Sequence, residues 1–254
     1  MALFQGNPAL RTSVFSRFRE DLDQQVAADK QLATVEGAIN KTGLLVVLTI
    51  AAAIFPWTIA LNGALGTAYS IAKMASLVGI GLVLFTMFMS PKSVRFTAPV
   101  FAAVYGLSLG GISAVLEARY PGIPLMAFVA TFGVLGTMLV VYRTGLVKVT
   151  ERFKMVVSSA VGALMLIALV SWFTSMFFGF SLLHHGGTLG LVISGGIVVL
   201  FSMYLLVQFQ QVKEAVAQRA PKWVEWHCAF GIMLALVWIY MEILNILSIF
   251  AGRD

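Results

Sequence analysis

The sequence predicts an all-α, polytopic membrane protein, a bundle of seven transmembrane helices, on three observations. Of its 254 residues 59% are apolar and only 11% charged, with a mean hydropathy of +0.92, which leaves too few ionic side chains to cover a water-exposed surface of that size. Apolar runs long enough to cross roughly 30 Å of hydrocarbon, about 20 helical residues each, recur seven times. Each run is unbroken, whereas a barrel would alternate polar and apolar residues over segments of about ten.

Residues 1–41 form a polar segment of mixed charge, with Arg11, Arg17, Arg19, Glu20, Asp21, Asp23, Asp29, Lys30 and Glu36. It has no leading apolar block and no small-residue cleavage site, so it reads as an uncleaved cytoplasmic arm, partly helical around 14–26. Residues 42–254 then hold the transmembrane domain. Its spans are expected at 43–62, 71–89, 98–116, 123–142, 155–178, 189–208 and 223–250. The breaks between them carry Asn62–Gly63, Ser90–Pro91, Tyr120–Pro121–Gly122, His185–Gly186–Gly187 and Ala220–Pro221, residues that end helices for steric reasons. Pro56 lies inside the first span and is expected to kink it. The third and fourth spans are joined by so few residues that they must be antiparallel neighbours.

Orientation follows from Lys and Arg. With the amino terminus in the cytoplasm, fourteen of the 17 fall on that side and Lys73, Arg119 and Arg253 on the other, a strong positive-inside asymmetry that places the carboxyl terminus outside. The net charge of +6 therefore reports topology. It is not a nucleic-acid signal, because the basic residues lie between apolar runs instead of along one face. Cys228 is the single cysteine, so neither an internal disulfide nor a zinc site is expected. Trp57, Tyr69, Tyr120, Tyr142, Trp223 and Trp226 near the boundaries fit interfacial belts, or plain packing. Gly106 and Gly110, with Ser113 and Ala114, and likewise Gly133, Gly136 and Thr137, read as seams where backbones approach closely. A homodimer face is the alternative for these glycines.

Polar groups inside hydrocarbon are costly and usually have a purpose. They comprise Asn62, Lys73, Glu117, Gln208, Gln210, Glu225, Glu242 and Asn245, with Tyr105 and scattered Ser and Thr. Lys73 can snorkel to the outer surface. Glu117 ends the third span beside Arg119 and Tyr120, as an interfacial carboxylate or as a site. Glu225 sits in the first turn of the seventh span, where a carboxylate also suits the positive helix end. Glu242 differs, lying seventeen residues further on, roughly 25 Å along the helix, with Trp238 and Asn245 on its face. Desolvation at that depth favours its neutral form, so it is the first candidate for a group that takes up and releases protons. A structural, hydrogen-bonded carboxylic acid is the competing reading.

Catalytic motifs fail on context. Gly106-Leu107-Ser108-Leu109-Gly110 matches G-x-S-x-G but lies within a continuous apolar helix, whereas a nucleophile elbow needs strand, turn and helix. His184 and His185 are adjacent in a glycine-rich loop with no acidic partner close by in sequence. No P-loop, H-E-x-x-H or dinucleotide fingerprint occurs, so neither an enzyme nor a cofactor is expected.

Asn7-Pro8-Ala9-Leu10 with Phe15, TVEGAINKTGLL (34–45), GLSLGGISAVLEARYPGI (106–123), YRTG (142–145), APKWVEWHCAFG (220–231) and WIYMEILNILS (238–248) together resemble the Bax-inhibitor-like membrane family, in particular its bacterial YccA/Bax inhibitor 1-like branch. The resemblance implies a seven-helix bundle with the last helix central. It also implies a pH-sensitive calcium leak, or restraint of a membrane-bound protease, in the inner membrane. In that family an acid at the end of the sixth span shares a proton with an acid in a seventh-span motif. The second motif resembles Tyr240-Met241-Glu242. The first resembles Leu206-Val207-Gln208-Phe209-Gln210, where the branch has Asp-x-Asp and this chain has two amides. Neutral amides weaken proton coupling and divalent-ion binding, and by helical rise they stand nearer Glu225 than Glu242.

Two functions follow. The first is an ion leak for calcium or protons, with Glu242 and Glu225 as proton-responsive groups, Gln208 and Gln210 as a neutral constriction, and Glu117, Tyr105 and Asn245 as further candidates for the path. The second is a non-conducting modulator that binds a membrane protease or another membrane protein. Membrane lipid is a partner in both.

Overall fold

A computed structural model describes residues 32–88, 91–178 and 187–252, without the side chains of 87, 88, 91, 172, 175–178 and 187. The expected arm helix at 14–26, and His184 and His185, lie outside the described residues.

Seven long helices carry the chain back and forth: α1 (Val35–Leu61), α2 (Leu65–Phe88), α3 (Val94–Arg119), α4 (Ile123–Thr144), α5 (Glu151–Phe178), α6 (Gly187–Ala217) and α7 (Val224–Ala251). A short 3₁₀ turn, Pro91–Ser93, precedes α3. Each of the seven contains a stretch long and apolar enough to span a membrane, and no strand forms among the described residues. Most helices outrun the predicted spans, α6 most of all, by nine residues at its carboxyl end; α1 begins eight residues early, at Val35, because Thr34 caps it: the Thr34 hydroxyl accepts from the Gly37 N–H at 2.9 Å. Helix α1 runs on through Pro56 and α3 through Pro99. At the α3–α4 corner Gly122 takes φ +90°, which only glycine adopts cheaply. The topology gathers Arg143, Lys148, Arg152, Lys154, Lys213, Arg219 and Lys222 at one end of the bundle, called here the basic end.

Helix α7 is central, packed against α1, α3, α4 and α6, whereas α5 lies outermost against α6. Glycine decides the tightest approach. A Cβ on Gly106 or Gly110 would overlap the backbone of Thr49 or Ala53 on α1, and one on Gly111 that of Ala68 on α2. The predicted third-span seam is therefore intramolecular, two-sided and closed by dispersion between backbones. The fourth-span seam is not found. A Cβ on Gly133 or Gly136 would meet nothing within 4 Å, so these glycines permit no close approach within the chain.

Helices α6 and α7 meet in one antiparallel register. Gln208 faces Gly231, Phe201 stacks on Trp238 at 5.2 Å, and the Asn245 amide donates to Ser194 Oγ at 2.9 Å. Both helices advance by seven residues from contact to contact, in opposite directions. Phe201, Leu205, Ile197 and Ile239 fill the space between, all buried.

Candidate functional site

The polar groups of the bundle fall into three places. At the basic end, the α6–α7 turn places Glu225 in the first turn of α7 with only 1% of it exposed. Leu32 pairs with Pro221 in an isolated antiparallel bridge, and the Ala33 N–H donates to the Ala220 carbonyl at 2.7 Å. This pairing sets the start of α1 over the start of α7. Glu225 Oε1 then accepts from the Thr34 N–H at 2.8 Å and from the Thr34 hydroxyl at 3.1 Å. Glu225 Oε2 pairs with the Lys41 ammonium, which also lies 5.4 Å from the Trp226 ring centre. Gly37 completes the pocket, since a Cβ there would fall on the carboxylate itself. A buried carboxylate needs a counter-charge and hydrogen bonds to repay its lost hydration, and this one has both.

Beside it, α4, α5 and α6 are joined by a more exposed network. The Tyr142 hydroxyl donates to Gln210 Oε1 at 2.9 Å, and the Gln210 amide donates to Glu214 Oε1 at 2.8 Å. Lys154 bridges Glu214 at 2.7 Å and Glu151 at 2.6 Å. Gln210 is thus bound into a helix clamp and not aimed at either candidate acid.

Gln208 is 3% exposed, its amide laid over Gly231. Gly231 is six residues from Glu225, about 9 Å, and eleven from Glu242, about 16 Å. The α6–α7 register puts Glu242 level with Ile197 instead. The structure therefore brings Gln208 to neither acid. Glu242 is 7% exposed and one helical turn from Asn245, whose bond to Ser194 ties α7 to α6.

The third place is a cavity of about 460 Å³ between α1, α3, α4 and α7, at the end opposite the basic one. Glu117 stands at its outer end and accepts from the Gly122 N–H at 3.0 Å. Deeper in, Ser113 and Tyr240 share a hydrogen bond of 2.6 Å. Tyr105 is elsewhere, stacked on Phe101 at 5.1 Å and against Gly79 of α2. The Lys73 ammonium lies 4.5 Å from the Tyr69 ring centre. Among the described residues no three His, Cys, Asp or Glu side chains are grouped to hold a metal ion.

Sequence reading singled out Glu225 but missed its partners Lys41, Thr34 and Gly37. The signal was present: Thr34 followed by Glu36 is a helix start, which draws Lys41 into the second turn of α1 instead of the loop before it. It also missed Gly231 and the Tyr142–Glu214–Lys154 clamp, which only the packing of distant segments reveals.

The family model described as Bax inhibitor 1 like matches residues 7–252 of this chain. No curated protein and no solved structure matched it.

Proposed function

The chain belongs to that Bax inhibitor 1 like family, and from this premise we propose that it is a proton-responsive cation leak of a bacterial inner membrane, held closed at its basic end. One observation carries the reading. Glu225 is buried, ion-paired with Lys41 and bonded to Thr34, so a single carboxylate ties the first helix to the last across the end of the bundle. Protonation removes the anion and leaves the Lys41 ammonium without a partner in a poorly hydrated place, which separates the two helix ends. Glu242 lies further along the α6–α7 seam as a second proton-responsive group, with Asn245 beside it and Gln208 as a neutral step between the acids. The Phe201–Trp238 stack fills the seam between those polar levels. Protons or calcium ions are the permeant species that the carboxylates favour.

Calcium flux into proteoliposomes across a pH series tests this. Wild type should conduct more as pH falls, Glu225→Gln should conduct at neutral pH with little further response, and Glu242→Gln should respond less steeply. Absence of flux at every pH in all three rejects the leak.

A second reading, a non-conducting modulator of a membrane protease or another membrane protein, is favoured by the use made of both amides. Gln208 is spent on packing against Gly231 and Gln210 on the clamp, where acids would have lined a path. Gln208→Asp separates the two: it should raise flux in a leak and leave a modulator non-conducting.

A further inference from the structure

The cavity at the Glu117 end belongs to no step of the leak. Its wall on α1 is the strip Val46, Ile50, Ala53 and Trp57, spaced to fall on one helix face. Those eleven residues of rise make a groove of about 16 Å, close to one leaflet of a hydrocarbon core of roughly 30 Å. Helices α1 and α4 share almost no direct packing. Ile50 on one side and Leu125 and Phe128 on the other are exposed, so the groove opens sideways toward lipid. Its volume of about 460 Å³ lies in the range of sites that take small amphiphilic molecules, about 300–1,000 Å³.

The lining disfavours water as the occupant. Thr49 and Thr131 hydroxyls are turned to their own helices, donating to Leu45 and Ala127 carbonyls at 2.9 and 2.7 Å, and Ser113 and Tyr240 bond each other. A water needs two to four polar partners, and the groove offers these only near Glu117. Charge is likewise confined to that outer end. One Glu117 oxygen is held by the Gly122 N–H, and the other has no hydrogen-bond partner among the described residues. Arg119, two residues on and exposed, lies over the Tyr120 ring at 5.5 Å. Glu117 is therefore an anion at the mouth with a free acceptor oxygen, which complements a headgroup whose ammonium is free to donate.

We propose that this groove holds one acyl chain of an aminophospholipid, a phosphatidylethanolamine, with its ammonium on Glu117 and its tail along α1 down to the level of Thr49. A trimethylated headgroup cannot donate to Glu117, and a glycerol headgroup brings no cation. The lipid then wedges α1 from α4 against the central helix at Tyr240. This proposal does not depend on the chain conducting ions.

The test uses full-length protein in vesicles that contain photoactivatable-acyl phosphatidylethanolamine, phosphatidylcholine or phosphatidylglycerol in turn, with labelled peptides mapped by mass spectrometry. The ethanolamine probe should label 46–57 and 124–132 roughly tenfold more than the choline probe, the ratio one charge-assisted hydrogen bond supports. Glu117→Gln should remove that preference while tail labelling persists. Ile50→Trp, which fills the groove from its exposed side, should lower labelling by every probe. Equal labelling by the three headgroups, or labelling spread evenly over the lipid-facing helices, overturns the proposal. Loss of flux in these variants, or its persistence, does not bear on it.

Discussion

Replacing Lys41 with Met isolates the tie between the first and last helices. The side chain keeps its reach but loses its charge, so Glu225, 1% exposed, is left without a counter-ion. Removing one member of a buried pair typically costs about 3–5 kcal/mol. Here the carboxylate keeps two hydrogen bonds from Thr34 and sits at the positive end of α7, so the low end applies, about 3 kcal/mol, or roughly a hundredfold in the unfolding equilibrium. Adding Glu225→Gln removes the stranded anion, and the double variant should recover most of that loss even though both charges are gone. Reversible unfolding in mixed micelles, followed by circular dichroism for wild type, both single variants and the double, yields the coupling directly. A cost below about 1 kcal/mol for Lys41→Met, the usual worth of a solvated surface pair, or simple additivity in the double variant, would refute the reasoning. The ion pair would then be incidental to closure.

Three further outcomes follow from the packing. Gly231→Ala should destabilise by about 1–3 kcal/mol, the usual cost of overfilling a tight contact, because its Cβ falls on the Gln208 amide; Gln208→Ala in the same chain should restore most of that in the same unfolding measurement. Gly110→Ala and Gly133→Ala make identical chemical changes with opposite results. The first drives a methyl group into the Ala53 backbone and should lower the yield of folded protein on size exclusion, whereas the second meets open space and should be neutral or gain up to about 1 kcal/mol from helix propensity. Asn245→Ala removes one interhelical bond to Ser194 and should cost about 0.6 kcal/mol in unfolding, the average for such bonds in membrane helices.

The number and order of the helices were legible in the sequence, because lipid admits few backbone solutions and punishes polar interruptions; the central place of the last one was implied by the family resemblance alone. The third-span glycines were legible too, since a residue without a side chain in a long apolar run has little use except close approach. The same logic misplaced Gly133 and Gly136: small size permits contact but does not supply a partner, and only the fold shows that α4 has none there. Acids divided in the same way. Glu225 and Glu242 stood out by their cost in hydrocarbon. What each one faces depends on register between helices far apart in sequence, and no periodicity within one helix encodes that. The seven-residue steps Gln208–Phe201–Ser194 and Gly231–Trp238–Asn245 resolve it. Once two contacts of that series are known, every other level follows: Gln208 packs against the glycine opposite it, and Glu242 is held about 16 Å away. Gln208 is an amide level with neither acid, so it shares no proton with Glu225 or Glu242. Glu225 is tied across to α1 instead of α6, so under the proposed leak its protonation would loosen the bundle without sliding a helix.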